Sequence, residues 1–193
     1  MSKNIEIEKR VMLTEEQYLS LLKYASNYSS RKEMTLVNYY FDDENLSLRN
    51  AHHMFRIRVT NNKDYELTLK VKGDNGDLEI NEPLSNGEIE KLLKKLEIKN
   101  KEINEIVSND TSKEIKYITS LKTERIEIEF GRYLFVLDKN YYSDIIDYDL
   151  EIESDNMVDA EEAIKKYCKN FDLQYSSSYK SKSRRAINKA LNI

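Results

Sequence analysis

Residues 5–10 read IEIEKR, and the same alternation of apolar and charged residues returns along the chain. Successive side chains of an extended strand point to opposite faces. Glu6, Glu8 and Arg10 therefore share one face, while Ile5 and Ile7 take the other. This period-two signal recurs in MFRIRV (54–59), YELTLKVK (65–72), LEIN (78–81), RIEIEF (125–130) and YDLEIES (148–154). It predicts strands at about 4–12, 34–42, 53–60, 64–72, 77–84, 117–130, 132–139 and 147–154. Turn chemistry separates several of them: NNKD at 61–64, GDNGD at 73–77 and Gly131.

Between the strands the period changes to that of helices. Thr14 and Gln17 form a capping-box pattern ahead of a stripe of Tyr18, Leu21, Leu22 and Ala25. Ser85 and Glu88 repeat it ahead of Ile89, Leu92, Leu93 and Leu96. Asp159 and Glu162 resemble it ahead of Ala163, Ile164, Tyr167 and Phe171. Further helices are expected over 101–108 and 183–191. Eight strands joined mostly by hairpin-length turns indicate an α+β, mainly antiparallel β fold. The sheet is expected to close into an eight-stranded, tunnel-like barrel with the amphipathic helices packed outside.

One proline, four glycines and no linker-like stretch point to a single domain over residues 1–193. The 31 basic and 35 acidic residues give a net charge of −4, which argues against bulk binding to nucleic acid or anionic membranes. No run is apolar enough to span a membrane. The opening MSKNIEIEKR lacks the apolar core of an export signal. Cys168 is the only cysteine, so a reducing, cytoplasmic location is expected. Its spacing with Ile164 and Phe171 makes it a packing residue. His52 and His53 are expected in a loop or at a strand start, and the chain as a monomer or homodimer.

Any one of the charged strands is most simply a solvent face. Together they weaken that reading, because like charges at i and i+2 repel unless partners stand opposite; a half-exposed β protein with its charges in water stays the alternative. Glu6 and Glu8, Arg56 and Arg58, Glu127 and Glu129, and Glu151 and Glu153 all follow this spacing. If the faces turn inward in a barrel, carboxylate strands neutralise arginine strands, and the helices cover the apolar faces from outside. Such an interior combines the oxygen ligands preferred by Mg²⁺ or Mn²⁺ with arginine forks suited to phosphate. A polyphosphate chelated to a divalent cation fits both.

The motifs resemble those of the CYTH, or triphosphate tunnel metalloenzyme, superfamily. They are EIEKR at 6–10, RIR at 56–58, LTLK at 67–70, RIEIE at 125–129, VLD at 136–138, EIE at 151–153 and the basic SKSRR at 181–185. The run VLDKNYYSDIIDYDLEIES is similar to small bacterial members. The resemblance implies a tunnel-forming barrel that binds a divalent metal, Mg²⁺ or Mn²⁺, and a triphosphate-containing small molecule. It implies metal-side roles for Glu6, Glu8, Asp138, Glu151 and Glu153. It implies phosphate binding by Arg10, Arg56, Arg58, Lys70, Arg125 and Lys182, with Arg185 in the same basic cluster. Glu79, Glu127 and Glu129 share the inner face, and Glu127 or Glu129 is the candidate for positioning an attacking water. Two positions depart from the pattern. Arg10 replaces a lysine and cannot give up its proton, which leaves it phosphate binding. Asn81 replaces a carboxylate. The expected activity is metal-dependent triphosphate hydrolysis. The alternatives are an adenylate cyclase acting on ATP and a polyphosphate-binding module without turnover.

Overall fold

The computed structural model describes residues 2–74, 76–85, 88, 98–176 and 179–193. In chain order the strands are β1 (Ser2–Leu13), β2 (Lys32–Asp42), β3 (Met54–Thr60), β4 (Asp64–Val71), β5 (Asp77–Leu84), β6 (Lys116–Glu129), β7 (Leu134–Tyr142) and β8 (Ile145–Ser154). The helices among the described residues are α1 (Glu15–Ala25), α2 (Ser47–Asn50), α3 (Lys101–Asp110), α4 (Met157–Phe171) and α5 (Lys182–Leu191). The strands form a closed barrel in the order β1-β5-β4-β3-β2-β6-β7-β8. None of the described helices is long and apolar enough to cross a membrane.

The chain gathers into two compact units, each made of separated segments. One comprises Met1–Ile5, Leu36–Leu121 and Lys182–Ile193, and the other Glu6–Thr35 and Lys122–Ser181. In the second, Ile7, Val11, Ile126, Ile128, Phe135, Leu137, Leu150 and Ile152 present one apolar sheet face. Tyr18, Leu21 and Ala25 of α1 and Ala160, Ala163, Ile164 and Tyr167 of α4 cover it. Each fully buried side chain of this size contributes roughly 1.5–3 kcal/mol. In the first unit, Phe41, Phe55, Ile57, Leu67, Leu69 and Ile80 meet Leu48 of α2 and Ile103 and Val107 of α3. The helices take the apolar faces, so the alternate, charged faces are the inner ones.

Local signals set the punctuation. Thr14 caps α1 in a complete capping box with Gln17. Asn61 and Asn62 adopt positive φ (51° and 57°) in the β3–β4 turn, a conformation asparagine tolerates. At Gly73 a Cβ would lie 2.4 Å from the Gly76 carbonyl oxygen, so only glycine fits. Ser85 donates from its amide and hydroxyl to Glu88 at 2.9 and 2.7 Å; the expected stripe of Ile89, Leu92, Leu93 and Leu96 lies outside the described residues. Cys168 packs against the core of the second unit as expected, and burial pushes its thiol up.

Two expectations are corrected. The cap of α4 is Asn156, whose side chain accepts from the amides of Val158 and Asp159, so Asp159 lies inside the first turn. Strands β7 and β8 extend toward each other until Tyr142 pairs with Ile145. A two-residue turn at Ser143 and Asp144 replaces the longer loop expected there, with Ser143 at φ 49°.

Candidate active site

The inner face of the second unit is set by register. Across β1–β8, Glu8 stands opposite Glu153, Arg10 opposite Glu151, and Met12 opposite Asp149. Across β8–β7–β6, Asp149 pairs with Asp138, and Asp138 with Arg125. The alternation seen in sequence thus stacks carboxylates from four neighbouring strands on one side of a sheet, with two guanidinium groups among them.

Arg125 binds Asp138 through two parallel contacts, Nε to Oδ1 at 2.9 Å and Nη2 to Oδ2 at 2.8 Å. Its Nη2 also donates to Glu151 at 3.1 Å, and its Nη1 lies 3.5 Å from Glu127 and 3.6 Å from Glu153. Arg10 donates from Nε to Glu151 at 2.5 Å and pairs through Nη2 with Glu8 at 2.5 Å. Glu151 therefore bridges the two arginines. Burial works against charge on both, but the carboxylates outweigh it: Glu151, Glu8 and Asp149 around Arg10, and Asp138, Glu153 and Glu151 around Arg125. Both stay charged.

Two cations do not balance this face. Burial pushes the Glu153 carboxyl up to about 8; Arg125 opposes the shift, and Glu6, Glu151 and Glu8 add to it. Among the described residues no group of three His, Cys, Asp or Glu side chains forms a ready coordination sphere, since Arg10 and Arg125 stand between the carboxylates. Glu127 is half-buried beside Arg125. Glu129 reaches the exposed end of β6 and pairs with Lys32 at 3.0 Å. Lys9, on the opposite parity, lies 3.4 Å from Glu161 of α4, as its outward assignment requires.

The first unit carries the other candidates. Register aligns Asn38 with Arg58, Tyr40 with Arg56, Arg56 with Thr68, and Thr68 with Asn81. Arg56 is buried; its Nη2 lies 3.4 Å from Glu79, and its Nε has no hydrogen-bond partner among the described residues. Arg58 donates to Asn38 at 2.9 Å. Lys70 stands opposite Glu79 and 3.8 Å from Asp77. Burial raises the Glu79 carboxyl, yet Arg56, Lys70 and Arg58 together hold it below its ordinary value. Asn81 donates to Glu79 at 3.5 Å. Lys182 and Arg185 lie in the first turn of α5. Asn188, one turn further on, accepts from Arg49 of α2 at 2.7 and 3.2 Å.

Sequence reasoning did not single out the neutral members of these faces. Buried Thr123 and Asn140 join Asp149 and the half-buried Asp147 in one network, and Asn38 adjoins Arg58 of β3. Their strand parity was the only available signal.

A closed eight-stranded antiparallel barrel with acid-rich inner residues on β1, β8, β7 and β6 and basic ones on β3 and β4 defines a class of β-barrel proteins with charged inner faces. The sequence matches the CYTH domain family over residues 4–187, and the chain belongs to that family. It is 32% identical over 184 residues to a Bacillus subtilis (strain 168) protein provisionally named triphosphatase YjbK, with 90% of each chain covered. A crystal structure of a provisionally named adenylate cyclase from Bacillus halodurans superposes with a TM-score of 0.85 at 26% identity, covering 96% of this chain and 98% of that one. The Hippeastrum protein HpAC1, described as an adenylyl cyclase with dominant triphosphatase activity, shares the fold with a TM-score of 0.75 at 19% identity. It covers 93% of each chain.

Proposed function

We propose that this chain is a divalent-metal-dependent triphosphatase that cleaves a phosphoanhydride of inorganic tripolyphosphate or a small organic triphosphate. The observation that carries the reading is the surplus of carboxylate on the inner face of the second unit, expressed in the raised Glu153. The donor set fits a hard cation: Glu6, Glu8, Glu151 and Glu153 offer only oxygen ligands. When bound, Mg²⁺ or Mn²⁺ would neutralise phosphate charge and lower the pKa of a water.

The remaining roles belong to this chain's own residues. Asp138 holds Arg125 by its two-point contact, and Arg125 fixes Glu151 and Glu153. Arg10 and Arg125 of the second unit stay charged and offer donors to phosphate oxygens; Arg56, Arg58 and Lys70 of the first unit, with Lys182 and Arg185 of α5, offer further cationic donors. Charge that spreads over the transferring phosphoryl is stabilised by such fixed donors. Glu127, beside Arg125, is the better placed of the two candidates for orienting an attacking water, because Glu129 lies at the exposed strand end. The 32%-identical relative named as a triphosphatase supports hydrolysis as the activity.

The test is to supply Mg²⁺ or Mn²⁺ with tripolyphosphate, ATP or thiamine triphosphate and to measure phosphate, pyrophosphate and cyclic AMP. Phosphate release that is abolished by chelation and by Glu8→Gln is expected. Cyclic AMP with pyrophosphate as main products would identify a cyclase. Tight tripolyphosphate binding without turnover under either metal would identify a binding module.

A further inference from the structure

We propose that Asn140 is a positioning residue for Arg10: through Asp149 it sets which edge of the Arg10 guanidinium is offered to a phosphate oxygen. The inference rests on the triphosphate reading above.

Asn140 is fully buried, and its amide has only one workable orientation. Its Nδ2 donates to Asp149 Oδ2 at 2.5 Å and to Asp147 Oδ1 at 3.0 Å. An ionised carboxylate can only accept, so the amide nitrogen must face the aspartates and Oδ1 must face away. There it takes the hydroxyl of Thr123 at 2.8 Å. A flipped amide would set its oxygen against two carboxylates.

Asp149 carries this order to Arg10. While Oδ2 holds Asn140, Oδ1 lies 3.6 Å from Arg10 Nε. Glu151 takes Nε and Nη2, and Glu8 takes Nη2. The remaining terminal nitrogen, Nη1, takes no part in these contacts, and the side chain keeps 14% of its surface exposed. A guanidinium among several carboxylates has many pairings open to it. A lysine, as a point charge, would have no edge to orient. Asp149, fixed at Oδ2 by Asn140 and with Oδ1 in a 3.6 Å ion-pair contact with Nε rather than a hydrogen bond, biases the pairing by its charge and leaves Nη1 as the donor for substrate.

Asn140→Leu keeps a similar volume and removes both amide donors; Asp149→Asn keeps the shape and removes the charge that faces Nε. Each is assayed with Mg²⁺ for tripolyphosphate Kd by calorimetry, for KM and kcat, and for melting temperature. Both variants are expected to raise Kd and KM about 10-fold, the scale of a lost hydrogen bond to a charged group, with kcat changed less than about 3-fold. In an Arg10→Lys background Asn140→Leu is expected to add nothing to Kd, because the edge it orients is gone. If Asn140→Leu does not fold, Asp149→Asn and the milder Thr123→Val are measured in its place. An unchanged Kd in the folded variants, or an equal loss in the Arg10→Lys background, would overturn the proposal. A wild-type protein that binds no tripolyphosphate would instead overturn the triphosphate reading, and this inference with it.

Discussion

The inner face built by β1, β8, β7 and β6 and the one built by β2 to β5 follow the same alternation but meet opposite electrostatic demands. In the first, Arg10 and Arg125 are spread among carboxylates that outnumber them, and the surplus shows as a protonatable Glu153. In the second, Arg56, Lys70 and Arg58 surround Glu79 and hold it ionised. A carboxylate on an inner strand face is pushed up in one of these regions and down in the other. What differs is the sign of its neighbours across the ladder. The comparison teaches that the period of a strand fixes which residues share a face, while the partners brought by register decide what that face can bind.

The comparison can be broken most forcefully at Asp138. Asp138→Asn leaves Arg125 buried without its two-point partner, which is expected to cost about 3–5 kcal/mol, read from urea unfolding. Glu79→Gln removes a 3.4 Å contact of buried Arg56 and the charge that faces Lys70 and Arg58, without breaking a two-point pair, and is expected to cost about 2 kcal/mol. Equal costs would mean that the two faces do not differ as described. Next comes Glu153→Gln, expected to lower turnover by about 100-fold or more if it is a metal ligand. Its unfolding free energy should hold or rise, since a like charge is removed. Falling activity together with falling stability would point to a structural role instead.

Arg56→Lys is expected to raise KM about tenfold, because a point charge replaces a planar fork. Steady-state kinetics with tripolyphosphate checks it. The last effect is a slope with pH. A carboxyl whose folded value is raised takes up a proton on folding, so its contribution is most favourable below the unfolded value. Without metal, stability should therefore decline as pH rises from the ordinary carboxylate range toward 8, and Glu153→Gln should flatten that decline.

Much of this was legible in the sequence because alternation survives any tertiary context that buries one face. All eight strands fall near their expected places. The β7–β8 hairpin was harder, since Asn140, Tyr142 and Ile145 break the contrast between faces, and its tight turn relies on Ser143 at positive φ rather than on glycine. The start of α4 was misread because Asn156, Asp159 and Glu162 all suit a helix start, and only backbone geometry chooses among them. At the site, charge made Glu6, Glu8, Arg10, Arg125, Glu151 and Glu153 visible. Parity alone could not tell that Glu127 lies beside Arg125 while Glu129 pairs with Lys32 at the exposed end. Thr123 and Asn140 carry no charge, so nothing marked them until register placed them beside Asp147 and Asp149.

The pairing of β1 with β8, Ile7 against Ser154 and Leu13 against Tyr148, has a consequence for how the protein is made. During synthesis β5, the neighbour on one side of β1, is made well before β8, the neighbour on the other, so the β1 edge that faces β8 stays open until β8 is made. Contacts of such long sequence separation slow folding, and a waiting apolar edge invites aggregation. The run EIEKR carries four charges in five residues, which keeps that edge soluble until the barrel can close. The side chains proposed to grip metal and phosphate would thus also charge the edge that closes the barrel last.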